Sequence, residues 1–194
     1  MSETYEVAVL IGSLRKESYS RKLARVLERL APEGLRFDEV HFARAPLYNE
    51  DIETSGNLPP EWVHLREQVR RSDAVLFITP EYNRSIPGGL KNALDIGSRP
   101  PKENVWRGKP AAIASISRGV IGAFGANHHL RQILVPLDVL VMAQPEAYIG
   151  GAPTLFDEQG ELTNESTREF LQGFMRRFAQ WIETVHRGQE RAAG

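Results

Sequence analysis

Thr79-Pro80-Glu81-Tyr82-Asn83-Arg84-Ser85-Ile86-Pro87-Gly88-Gly89-Leu90-Lys91-Asn92 follows the apolar run Ala74-Val75-Leu76-Phe77-Ile78 and leads into a segment of helical pattern. A buried strand therefore ends where a loop begins. In an open parallel sheet, ligands bind in the crevice beyond the carboxyl ends of the strands. Pro80 and Pro87 lack an amide donor, fix their own φ and push Thr79 and Ile86 toward extended backbone, so the loop is stiff. Gly88 and Gly89 permit close backbone approach at the start of a helix expected over 90–96. An ordinary strand-to-helix turn needs fewer special residues than these. The composition suits a loop that meets a flat ligand.

Other segments repeat the alternation. Val7-Ala8-Val9-Leu10-Ile11 is continuously apolar and ends at Gly12; 111–116 and 139–143 have the same character. Such runs fit central strands covered on both faces. The stretch 35–40 alternates apolar and polar residues and is expected at a sheet edge. Helical periodicity occupies 21–30, 60–71, 90–97 and 126–134. A closing amphipathic helix is expected over 164–185, capped by Thr163 or Asn164, with Phe170, Leu171, Phe174, Phe178, Trp181 and Ile182 toward the sheet. Residues 186–194 read as a frayed tail. Strand and helix alternating throughout imply an α/β protein with right-handed crossovers and helices on both faces of a parallel sheet. Five strands in three layers predict the flavodoxin-like order 2-1-3-4-5 in a single domain spanning 1–194.

Composition narrows the partners. The 194 residues carry 24 basic and 25 acidic side chains, a net charge of -1, which offers no large field for nucleic acid or an anionic membrane. Trp62, Trp106 and Trp181 are too dispersed for a base-stacking surface. With no cysteine, there are no disulfides, thiolate ligands or redox-active thiol pairs, so any redox chemistry must come from a cofactor. His128 and His129 are adjacent and point apart on a helix, without carboxylates at ligand spacing, so no metal is expected. No basic segment followed by a long apolar one opens the chain, and no run approaches the roughly 20 apolar residues of a membrane span. A cytoplasmic protein with a small-molecule partner is expected.

Two further loops carry chemistry. Gly12-Ser13-Leu14-Arg15-Lys16-Glu17-Ser18-Tyr19-Ser20-Arg21 joins the first strand to a helix and concentrates serines and cations. Free amides at a helix N-terminus, hydroxyls and a guanidinium together suit a phosphate. The spacing is neither Gly-x-Gly-x-x-Gly nor a triphosphate loop, so a monophosphate fits better than a dinucleotide or ATP. A solvated, well-capped helix start would have the same composition. Ser115-Ile116-Ser117-Arg118-Gly119-Val120-Ile121-Gly122-Ala123 leaves the fourth strand with hydroxyl and guanidinium donors; a plain glycine-rich connection is the alternative.

These three loops resemble those of the NAD(P)H-dependent FMN reductases of flavodoxin-like fold, particularly the quinone and chromate reductase branch, over about residues 5 to 185. The likeness is most specific at 79–92 and its continuation Ala93-Leu94-Asp95-Ile96-Gly97-Ser98-Arg99-Pro100. It implies FMN as cofactor, with Ser13, Arg15, Ser18 and Ser20 at the phosphate, Pro80, Glu81, Tyr82 and Asn83 along the ring system, and Ser115, Ser117 and Gly119 in a third flavin-side loop. Tyr82 would border the nicotinamide and acceptor site. Arg84 would attract a cofactor phosphate or anionic acceptor, or pair with a neighbouring subunit. The family often has asparagine at Ser20 and tryptophan at Ile96. The implied activity is hydride transfer from NADPH or NADH to FMN and then to a quinone, azo compound, metal oxyanion or free flavin, in ping-pong order, by a homodimer or homotetramer. No side chain is required as the catalytic acid or base, since the cofactor carries the chemistry. A non-enzymatic FMN-binding electron carrier or regulatory module is the alternative.

Overall fold

The computed structural model describes residues 4–193. Its elements run β1 (Tyr5–Ile11), α1 (Tyr19–Leu30), β2 (Leu35–Glu39), α2 (Glu50–Ser55), α3 (Pro60–Arg71), β3 (Ala74–Thr79), α4 (Gly88–Gly97), β4 (Pro110–Ile116), α5 (Phe124–Leu134), β5 (Leu140–Val141), β6 (Ala147–Ile149) and α6 (Glu165–Ala193). The sheet has the order β2-β1-β3-β4-β5, all pairings parallel, with β6 also on β4. This is the flavodoxin-like order.

Side chains that alternate across a strand serve two cores. From β1, Val7, Val9 and Ile11 face one core, with Leu23 and Leu27 of α1 and Leu171, Phe174, Phe178 and Ile182 of α6. Ala8 and Leu10 face the other, with Trp62 and Leu65 of α3, Leu90 and Leu94 of α4 and Leu130 of α5. Every residue of β3 is buried, which is why its sequence shows no alternation. Ile96 is fully buried in the second core.

The fifth strand differs from expectation. Pro110 pairs with Leu140 and Ala114 with Ala147, so four steps along β4 match seven along its partner. The chain therefore leaves the sheet after Val141 and re-enters at Ala147, giving β5 and β6 in place of one strand over 139–143. Between β2 and α3 the chain forms a further short helix, α2, whose Asn49 side chain accepts from Asp51 N.

The C-terminal tail also departs from expectation. Helix α6 begins after Asn164, whose Oδ1 accepts from Thr167 N at 2.8 Å, and continues through Ala193. Its last turns are held by His186 Nε2 against Asp73 O (3.1 Å) and by Gln189 Nε2 donating to Gly108 O (2.7 Å). These partners lie just before β3 and just before β4, so the contacts are invisible to local periodicity. Gly194 lies outside the described residues. Phe170, expected to face the sheet, is 38% exposed, while Met175 takes a place in the core. Among the described residues no helix is long and apolar enough to cross a membrane.

Candidate cofactor site

Parallel pairing of Ile11 with Ile78 and of Thr79 with Ser115 brings the carboxyl ends of β1, β3 and β4 to one edge. Their loops emerge side by side. Gly12 lets two of them touch: a β-carbon there would lie 3.1 Å from Pro80 Cδ and 3.3 Å from Thr79 Oγ1. Between the loops is a cavity of about 190 Å³. Ser13, Arg15, Ser18, Tyr19 and Ser20 line it from the first loop, Pro80, Glu81 and Tyr82 from the second, and Ile116, Ser117 and Arg118 from the third. Larger hollows of about 630 and 730 Å³ lie toward the β2 edge, beside His41 and His64 and beside Arg36 and Arg71, away from the meeting of these loops.

The first loop gathers groups suited to an anion. Ser18 caps α1, its Oγ accepting from Arg21 N at 3.1 Å, and no acidic residue occupies the first turn. The leading amides that Ser18 does not take up, and the helix dipole, add positive potential at this end of α1. Ser20 is 1% exposed and its Oγ has no hydrogen-bond partner among the described residues. A buried hydroxyl without a partner costs roughly 1–3 kcal/mol, so one kept against this cavity points to a ligand that satisfies it. Arg15 and Arg118 are exposed and have no ion-pair partner among the described residues. Two free guanidiniums, a helix N-terminus and an orphaned hydroxyl fit a phosphate monoester. Arg118, whose guanidinium stood out in the third loop without a cofactor role assigned to it, belongs to this group; Tyr19 and Ile116 carried no sequence signal.

In the second loop, Tyr82 N donates to Ser85 O (2.9 Å) and Ser85 N to Tyr82 O (3.0 Å). Asn83 and Arg84 between them have φ of 51° and 68°, a type I′ turn. Asparagine tolerates that conformation; arginine is strained in it. Arg84 is 80% exposed and touches Glu81 only loosely, at 3.5 Å. Asn83 and Arg84 do not line the cavity, whereas Tyr82, 49% exposed, forms its rim. Asn92, at the end of the motif, is turned away: it accepts from Tyr48 N and donates to Pro46 O, anchoring the chain before α2.

The third loop divides its serines. Ser115 is fully buried, donates to Gly122 O at 2.7 Å and accepts from Asn127 Nδ2 at 3.2 Å. The structure thus places it under the loop, outside the cavity lining, because it is still part of β4, a strand buried along its whole length. Ser117 lines the cavity, with its Oγ accepting from Ala123 N at 3.1 Å. Gly119 lies outside the lining and its carbonyl accepts from Gly151 N.

His128 and His129 diverge, as adjacent helical residues must: His129 Nδ1 meets Ser85 Oγ at 2.7 Å and His128 Nε2 meets the Tyr148 hydroxyl at 2.9 Å. Burial, then the hydrogen bond and charge of Glu146, push the Tyr148 phenol from 10 up to about 12. Between pH 10 and 12 the folded protein keeps a proton that the unfolded chain releases, so stability falls as pH rises through that window. Tyr148→Phe is expected to show a shallower fall in Tm across this range than the parent. Parallel thermal-unfolding curves would refute the coupling.

Comparison with known proteins supplies a family. Residues 5–154 match the family described as NADPH-dependent FMN reductase. A quinone reductase of Pseudomonas putida is 58% identical, over 94% of this chain and 97% of its own length. A 2-hydroxy-1,4-benzoquinone reductase of a Burkholderia species is 43% identical over 91% of this chain and 96% of its own. Among solved structures, FerB of Paracoccus denitrificans, a flavoenzyme NAD(P)H:(acceptor) oxidoreductase, superposes with a TM-score of 0.87 at 44% identity, over 94% of this chain and 99% of its own.

Proposed function

The chain belongs to the NADPH-dependent FMN reductase family, and from that footing we propose that it is an FMN-dependent NAD(P)H:quinone oxidoreductase working in ping-pong order. The observation that carries the site is the orphaned Ser20 hydroxyl beside Arg15 and Arg118 at the N-terminus of α1, in one cavity with Pro80 and Tyr82. Ser13, Arg15, Ser20 and Arg118 hold the phosphate. When bound, FMN supplies the two-electron chemistry, taking hydride from NAD(P)H and passing electrons to an acceptor.

The protein's part is orientation and access. A cavity of about 190 Å³ is smaller than pockets that enclose a whole ligand of this size, so the second loop beside it would hold the part that the cavity does not enclose. With the Tyr82 amide taken up by Ser85 O, the amides of Glu81 and Asn83 would be the loop's donors to the ring edge and would favour added negative charge there. Tyr82 borders the ring and orients the incoming nicotinamide or acceptor, and Arg84, strained yet solvent-facing, draws in an anionic group of either. One open face serving donor and acceptor in turn is the reason for ping-pong order. A quinone is favoured by the activities named for the relatives at 58% and 43% identity; azo compounds, metal oxyanions and free flavin are further acceptors of an exposed ring. The same proposal includes a cytoplasmic homodimer or homotetramer, with Val120, Ile121 and Phe124, at 91%, 58% and 47% exposure, as apolar surface for self-association.

The test is anaerobic mixing of the purified yellow protein with NADPH. Rapid bleaching, followed by recovery of colour when benzoquinone is added, is the expected result. Protein that stays colourless after incubation with FMN would refute the site, and bound flavin that NADPH does not bleach would leave a carrier or regulatory module. Arg15→Ala removes one charge-assisted contact of roughly 1.5 kcal/mol, the lower end for an exposed guanidinium, so the Kd for FMN should rise about tenfold. Fluorescence titration of FMN measures it, and an unchanged Kd removes Arg15 from the phosphate site.

A further inference from the structure

Glu81 does something other than line the cavity. Its side chain is 15% exposed, and its Oε2 accepts from the backbone N–H of Ala126 at 3.0 Å, across 45 residues of sequence. Ala126 stands in the first turn of α5. That helix has no cap of its own: Ala123, at the cap position, has φ 61° and no side-chain acceptor. The leading amides of a helix need acceptors, and a carboxylate is the favoured one because it also meets the positive end of the dipole.

The surroundings are shaped for this contact. A β-carbon at Gly125 would come within 2.9 Å of Glu81 Oε2 and 3.3 Å of Arg84 O, so the position beneath the carboxylate carries no side chain. The same end of α5 anchors the third loop, through Ala123 N donating to Ser117 Oγ and Asn127 Nδ2 donating to Ser115 Oγ. Second and third loops therefore converge on one helix terminus, the second through Glu81 and the third through its serines.

We infer that Glu81 is a positioning residue: its carboxylate caps α5 from the neighbouring loop and sets the distance between the Pro80–Tyr82 and Ser117–Arg118 walls of the cofactor cleft. This rests on the reading that FMN occupies that cleft. The carboxylate is directed to the helix, and the loop's backbone is what it presents to the ligand.

Three full-length variants decide the matter by two readouts, amide hydrogen exchange of the FMN-free protein and FMN affinity by fluorescence. Glu81→Ala should accelerate exchange about tenfold in both 80–86 and 123–127, and raise the Kd for FMN by a similar factor. Glu81→Gln keeps an acceptor for Ala126 N and should restore exchange and Kd to within about threefold of the parent. Gly125→Ala leaves Glu81 in place but crowds its carboxylate, and should loosen the same two segments; it also serves if Glu81→Ala does not fold. Weaker FMN binding in both Glu81 variants with exchange unchanged would make the carboxylate a direct ligand and overturn the inference. Exchange loosened in only one of the two segments would overturn it as well. Should the parent protein fail to bind FMN, the proposed function falls, while exchange in the FMN-free variants still decides whether Glu81 joins the loops.

Discussion

Arg66→Ala is expected to cost the fold roughly 3 to 5 kcal/mol, a large share of the 5–15 kcal/mol that stabilises a typical domain. The Arg66 side chain is 5% exposed and its partner Glu53 is 13% exposed. Both terminal nitrogens of the guanidinium bond the Glu53 carboxylate, and Nε donates to Ile96 O at 3.0 Å. One side chain on α3 thus ties α2 to the end of α4, the helix that starts at the second cofactor loop. Its guanidinium carbon also lies 5.9 Å from the centroid of the buried Trp62 ring. Alanine removes these contacts and leaves a shielded carboxylate without a counter-charge, which is the costly outcome for a buried pair. Urea unfolding measures the loss. The double variant Arg66→Met, Glu53→Leu should recover most of it, because apolar groups of similar volume remove both desolvated charges together. A loss below about 1 kcal/mol in Arg66→Ala would mean that the pair behaves like a surface ion pair.

Gly122→Ala is the second large effect, and it falls on the cofactor. Gly122 has φ +63°, where a side chain costs about 1–2 kcal/mol. A β-carbon there would also sit 2.7 Å from Ile149 N and closer still to Tyr148 C. The obstacle is backbone of β6, so no rotamer change relieves it, and overpacking adds about 1–3 kcal/mol. The loop must lift from β6, carrying Ser117 and Arg118 away from the cleft. A total of roughly 2–5 kcal/mol is expected in thermal or urea unfolding, with FMN affinity reduced at least about tenfold. Gly119→Ala is the matched control: nothing lies within 4 Å of its β-carbon, so it should leave both quantities near the parent values. Equal effects at the two positions would show that the third loop does not depend on its seat against β6.

Both variants fall on contacts that sequence does not make legible, within a framework that it does. That 74–78 forms a central strand can be read directly, since a run buried on both faces is apolar at every position. The α3 boundaries follow from Pro60 at the first turn and the apolar period that ends at Arg71. The meeting of the first and second loops follows from strand order alone. Arg66 gives no such signal, because in sequence it is one more charge on an amphipathic helix; that it is buried depends on Glu53 and Ile96, neither a near neighbour. Gly122 reads as ordinary loop glycine until β6 is placed behind it, and β6 itself is hidden by the break after Val141.

The chain's order of residues, taken alone, determined the layered α/β architecture, the strand order, and which three loops carry polar and basic groups to one edge. These are consequences of periodicity and composition, which act over one or two turns of backbone. Tertiary structure alone decided that Ser115 supports the third loop while Ser117 lines the cleft, that Glu81 reaches a helix 45 residues away, and that α6 extends along contacts to Asp73 and Gly108. A hydrogen bond is satisfied by whichever donor or acceptor the fold brings within about 3 Å, and that partner is set by packing rather than by its neighbours in sequence.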